Sequence, residues 1–192
     1  YYLLNRSQDT VPGESNGTWT EENQASFAGL EDGIWTLHVV SKDRCGNVGT
    51  AAAHYSLRID TQALPPAVAS PTHPEGAWTR NSTPTFTWAA PQDSSGIAGY
   101  YYSLDREPGT VPSKENAQFT TGTLASFPRL DDGVWVFHIV SADNAGNIGS
   151  RAAHYSIHID TAAGAPKVNS STHPDPEKWH RAASPLLHWQ AP

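Results

Sequence analysis

The chain has one cysteine, Cys45, in 192 residues. A single thiol closes no intrachain disulfide and builds no cysteine-ligated metal site. The residue one hundred positions further on is Ala145, so the thiol is not part of the pattern described below. Methionine is absent and charged residues make up only 16% of the chain, which leaves little material for amphipathic helices. Basic residues are scarce: Lys and Arg number 12 against 19 Asp and Glu, for a formal net charge of −7. With no Lys/Arg cluster to meet phosphates, nucleic-acid binding and anionic-membrane binding are excluded as expectations. No apolar run approaches the roughly 20 residues of a membrane-spanning helix, so no membrane insertion is expected. What is plentiful is Gly (15), Pro (15), Trp (7) and Tyr (7), a mixture suited to strands and turns.

These residues recur with a period of one hundred. Glu31–Thr61, EDGIWTLHVVSKDRCGNVGTAAAHYSLRIDT, returns without a gap as Asp131–Thr161, DDGVWVFHIVSADNAGNIGSRAAHYSIHIDT. About half the positions of residues 1–62 are identical to those of 101–162. Such a period is the size of a small β-sandwich and exceeds helical or leucine-rich repeats. Residues 63–162 read as one complete unit. Tyr1 enters the pattern midway, so 1–62 read as the back part of a unit, from its third strand onward. In 163–192, Ser171-Thr172-His173-Pro174 repeats Pro71-Thr72-His73-Pro74, and Ser184–Trp189 repeats Thr83–Trp88. That stretch reads as the first two strands of a further unit, ending at Pro192 where Pro91 stands.

Alternation places the strands. Thr83–Trp88 sends Phe86 and Trp88 to one face, and Gly99–Asp105 sends Tyr100, Tyr102 and Leu104 to one face. Asp131–Thr161 reads as a hairpin of two strands, in which Trp135, Phe137 and Ile139 point inward, as do Tyr155, Ile157 and Ile159 on the return strand, whereas His138, His154, Ser156 and His158 point out. Asp143-Asn144-Ala145-Gly146-Asn147 is a tight-turn signal, with an Asp to bond nearby backbone N–H groups and a Gly free to take positive φ. Further strands are expected at Tyr1–Leu4, Ala25–Leu30, Val68–Pro74 and Thr123–Leu130.

TFTWAAPQDSSGIAGYYYSLD resembles the second and third strands of fibronectin type III domains, with a Trp closing one strand, a Pro-bearing loop and Ile-x-Gly-Tyr. DGVWVFHIVSADNAGNIG resembles the sixth strand and following turn of bacterial Ig-like repeats in very large secreted or surface proteins, and Ile159-Asp160-Thr161 with Pro166 resembles their inter-domain junction. The departure is Trp at 35 and 135, where those repeats usually carry Tyr. The expected fold is therefore all-β: tandem β-sandwich repeats, Ig-like or fibronectin type III-like, of about 100 residues.

Several chemistries are legible. Ser141, His138 and Asp143 lie close in sequence, but alternation sends Ser141 and His138 to opposite faces, so no catalytic set forms and no enzyme is expected. His138, His154 and His158 project from neighbouring strands, and paired imidazoles suit zinc or copper. His158 is Arg58 in the first copy, so a repeated three-histidine site fails, and solvent-facing histidines are the plainer reading. Asp43, Asn47 and Asp60, with their counterparts Asp143, Asn147 and Asp160, offer hard oxygen ligands at turns and junctions, the donor type calcium prefers. The resemblance implies calcium at joints between units, where Asp160 stands. Trp78 and Trp179, each following a Thr-His-Pro motif in irregular sequence, form with Tyr101, His138 and His154 the candidate ligand-binding set, with polysaccharide as the ligand.

The expected role is a structural or adhesive repeat module, acting as spacer, stalk or filament subunit of a large extracellular or cell-surface protein. Its partners are neighbouring repeats or chains, head to tail. The competing expectation is a carbohydrate- or ligand-binding module accessory to an enzyme outside this chain.

Overall fold

The computed structural model describes residues 1–191. Pro192, assigned above to the end of the last stretch, lies outside the described residues. Thirteen strands and no helix occur among the described residues. The first sheet holds β1 (Tyr2–Asn5), β2 (Gly33–Val39) and β3 (Ala53–Ile59), in that order. A three-stranded sheet follows, built from β4 (Ala67–Ala69), β6 (Thr85–Ala89) and β9 (Leu124–Ser126). It faces a five-stranded sheet ordered β5-β11-β10-β7-β8, comprising β5 (Trp78–Thr79), β7 (Ile97–Asp105), β8 (Gln118–Thr120), β10 (Gly133–Asp143) and β11 (Ala153–Ile159). Among the described residues β12 (Lys167–Ser170) and β13 (Leu187–Gln190) pair with each other alone.

The two central sheets enclose the core that alternation predicts. Phe86 of β6 stacks on Phe137 of β10 at 4.3 Å between ring centroids. Trp88, Tyr100, Ala125, Ile139, Tyr155, Ile157 and Ile159 complete that cluster. A sheet with one apolar face must cover it, and facing sheets do so with interdigitating side chains. Gly133 stands where β10 begins, with φ at +129°, and an added Cβ would lie 2.6 Å from Arg106 Nη1. That guanidinium sits over the Trp135 ring at 4.4 Å. Arg6 sits over Trp35 in the same way at 4.7 Å.

The repeat is visible as shared register. Gly33↔Ile59 through Val39↔Ala53 reproduces Gly133↔Ile159 through Ile139↔Ala153, and Val168↔Trp189 reproduces Val68↔Trp88. Burial is not shared. Ile139 is fully buried whereas Val39 is 44% exposed, and Tyr155 is 9% exposed whereas Tyr55 is 67%. Trp189, at a core-facing position by alternation, is 74% exposed. Among the described residues no sheet covers Tyr2, Leu37 and Val39, which line an open concavity.

Four expectations need correction. Ala25–Leu30 forms no strand, because its counterpart β9 exists by pairing with β6, and among the described residues no such partner lies beside 25–30. The hairpin connection is longer than a tight turn: β10 ends at Asp143 and β11 starts at Ala153, with a bulge at Ala142/Asp143. Gly146 nevertheless adopts φ of +96°, as the turn signal requires. Trp78 falls not in irregular chain but on the short edge strand β5, parallel to β11. His138 is not solvent-facing; it points away from the aromatic core yet is fully buried.

Candidate functional site

Two groups of polar side chains stand apart from the core. The first lies where the first sheet's last strand hands over to the central sandwich. Asp60 follows β3, Asp93 lies in the loop between β6 and β7, and Asp143 ends β10. One carboxylate oxygen from each falls within 4.8 Å of the others. The Ser95 N–H donates to both Asp60 Oδ2 (2.9 Å) and Asp93 Oδ1 (3.1 Å). Asn147 Nδ2 donates to the Asp60 carbonyl (3.0 Å) and to Asp143 Oδ2 (2.7 Å), so one amide ties the two sheets' ends together. Hydrogen bonds from Ser95, above all that from its hydroxyl, hold the Asp60 carboxyl below its ordinary range. Three hard oxygen donors at this separation fit the ligand sphere of calcium.

The expected calcium residues are thereby regrouped. Asp43 and Asn47 do not meet Asp60, because they lie at opposite ends of the β2–β3 hairpin, roughly 20 Å apart for seven-residue strands. Asp43 instead accepts from Asn47 N, Asn47 Nδ2 and Cys45 N, and the Asn47 bonds hold its carboxyl low. Asp160, the counterpart of Asp60, is exposed and caps Ala162 N at 3.3 Å. Asp93 was not singled out from the sequence. Its only signal is Asp93-Ser94-Ser95-Gly96, which looks like an ordinary turn.

The second group lies on the outer face of the sheet. His138 and His154 are cross-strand partners, as are His38 and His54. In each pair the two Nδ1 atoms are 2.7 Å apart. His138 Nε2 donates to Asp105 Oδ1 at 3.1 Å, and His38 Nε2 donates to Asn5 Oδ1 at 3.0 Å. Burial depresses the His138 imidazole below its usual value, only partly opposed by Asp105. Burial also pushes the Asp105 carboxyl up, but bonds from Thr110, Glu107 N–H and His138 overcome it and hold it low.

The expected ligand-binding set does not converge. Tyr101 stands opposite Val140 and packs on Phe119 at 5.0 Å, whereas Ser103 is the residue opposite His138. Trp78 lies at the other edge of the sheet, 62% exposed, with its ring 4.9 Å from that of His158. His158 therefore belongs with Trp78 and not with the histidine pair. Trp179 is fully exposed. Ser141 is buried, and among the described residues its hydroxyl has no hydrogen-bond partner, His138 included.

No protein-family model matches the sequence. The chain is 30% identical over 161 residues to chitinase A1 of Niallia circulans, an alignment covering 81% of this chain. It spans about a fifth of the length of that curated relative, 20%. No helix among the described residues is long and apolar enough to cross a membrane.

Proposed function

We propose that the chain is a run of fibronectin type III-like or bacterial Ig-like sandwiches serving as a spacer in a secreted protein. Its divisions are 1–62, 63–162 and 163–192, and it holds flanking parts at a set separation. The observation that carries this reading is the joint. Asn147 and Ser95 of the central sandwich grip Asp60 at the end of the preceding sheet, and Ala63 in the short connection is buried against Gly149. A tether free to bend has no use for buried connection residues and hydrogen bonds across the joint; a strut does. Calcium at Asp60, Asp93 and Asp143 would offset most of the negative charge of the three carboxylates and stiffen the same joint.

A second reading is favoured by a different observation. The similarity to part of a chitinase, together with the exposed ring of Trp78, supports an accessory module beside a polysaccharide-degrading enzyme, with the catalytic part outside this chain. Planar aromatic side chains stack on sugar rings.

Small-angle scattering tests the spacer. The wild-type chain should give one narrow distribution of end-to-end distances, and Asp60→Ala with Asn147→Ala should broaden it without unfolding either sheet. An unchanged distribution would sink the strut. Sedimentation with chitin beads separates the readings: retention that Trp78→Ala removes favours the accessory module.

A further inference from the structure

The paired histidines carry an inference independent of the spacer reading. Their tautomers follow from their partners. Asp105 Oδ1 can only accept, so His138 carries its proton on Nε2. Asn5 reaches the same result by its own bonding: its Nδ2 donates to Thr10 Oγ1 at 3.0 Å and its Oδ1 accepts from Ser7 N–H at 2.9 Å. The oxygen is therefore the end that faces His38, and His38 too is an Nε2–H donor. In each neutral ring the remaining nitrogen, Nδ1, holds a lone pair, and it is aimed at Nδ1 of an exposed imidazole, His54 or His154. The buried ring is positioned by an outer oxygen while the exposed ring is free to turn. That division of labour matches a metal-bound histidine, whose other N–H is held by a carboxylate or amide oxygen.

We propose that His38–His54 and His138–His154 are two equivalent sites for a borderline divalent cation of the zinc and copper class. The metal replaces the hydrogen shared between the facing Nδ1 atoms. The exposed ring shifts its proton from Nδ1 to Nε2 through solvent, so the neutral pair releases no proton, and both Nδ1 lone pairs then ligate. Bonds of about 2.0–2.1 Å at angles between square-planar and tetrahedral put the two nitrogens about 2.9–3.4 Å apart. The observed 2.7 Å must therefore open slightly, a movement that the exposed ring can make by side-chain rotation. Water completes the coordination on the open side. Oxygen-seeking calcium has no place here. The second site, positioned by a carboxylate, holds metal more tightly than the first, positioned by an amide.

Of the other histidines, His73 is fully engaged, through Thr72 Oγ1 at 2.9 Å and the Asn81 carbonyl at 2.7 Å. His158 has its Nδ1 sealed from solvent beside Trp78.

Titration of the 192-residue chain with Zn²⁺ by calorimetry should show two bound ions, the tighter about tenfold stronger, consistent with its carboxylate support. His154→Ala removes the tighter ion, His54→Ala the weaker, and the double variant binds none at these strengths. Both substituted residues are exposed, so the fold is retained, which far-ultraviolet circular dichroism confirms. Zn²⁺ should also raise the melting temperature of the wild type and not of the double variant. Equal Zn²⁺ uptake by wild type and double variant, or no uptake by the wild type, overturns the proposal and leaves the pairs as plain hydrogen bonds.

Discussion

His138 shows how one residue's surroundings decide its chemistry. It sits on the face that alternation assigns to solvent, yet no part of it reaches water. Burial disfavours the imidazolium, so its folded value lies below the ordinary 6.5. The sign of the pH effect follows. Below 6.5 the unfolded chain takes up a proton that the folded chain refuses, so stability present at pH 7 is lost as the pH falls from 6.5 toward the folded value. One such group contributes at most about 1.4 kcal/mol per pH unit over that window. Urea unfolding midpoints should therefore drop between pH 7.5 and 5.5, and His138→Gln should flatten that drop. An equal slope in the variant would assign the effect to other histidines.

Among the elements, β10 and its approach concentrate the local rules. Gly133 takes a φ that L side chains rarely adopt, and its missing Cβ leaves room for the Arg106 guanidinium over Trp135. Gly33, Arg6 and Trp35 repeat the arrangement around β2. Ala at 133 would be strained at that φ and would displace the guanidinium, so Gly133→Ala should cost about 1–3 kcal/mol in chemical denaturation. Arg106→Ala should cost less, about 0.5–1 kcal/mol, because it removes the cation–ring contact without straining the backbone. The absence of a strand at 25–30 belongs to this scale as well. A strand needs a neighbour to satisfy its backbone groups, and Ala25–Leu30 has none where β9 has β6.

At the scale of the molecule, the notable feature is where the first sheet meets the central sandwich. Asp60, Asp93 and Asp143 bring three carboxylates together, and Asp143 is almost fully buried. Like charges at such distances repel unless a proton or cation intervenes. Calcium at millimolar concentration should raise the melting temperature, and Asp60→Ala or Asp93→Ala should abolish the rise while Asp160→Ala leaves it. That last outcome separates the joint from the exposed counterpart carboxylate. A calcium response in all three variants would place any bound ion elsewhere.

The all-β architecture, the one-hundred-residue recurrence, the core residues of β6, β7, β10 and β11 and the positive φ at Gly146 were all legible in the sequence, because each rests on local periodicity or turn chemistry. What the sequence left open was every feature that depends on a partner far along the chain. Asp60 meets Asp93 and Asp143 across the joint; Trp78 joins the edge of β11; His138 is sealed from solvent and faces His154 through Nδ1. Alternation says which face a side chain takes, but only the packed sheets and the segments laid over them decide what covers that face. The same pattern therefore yields a buried Ile139 and an exposed Val39.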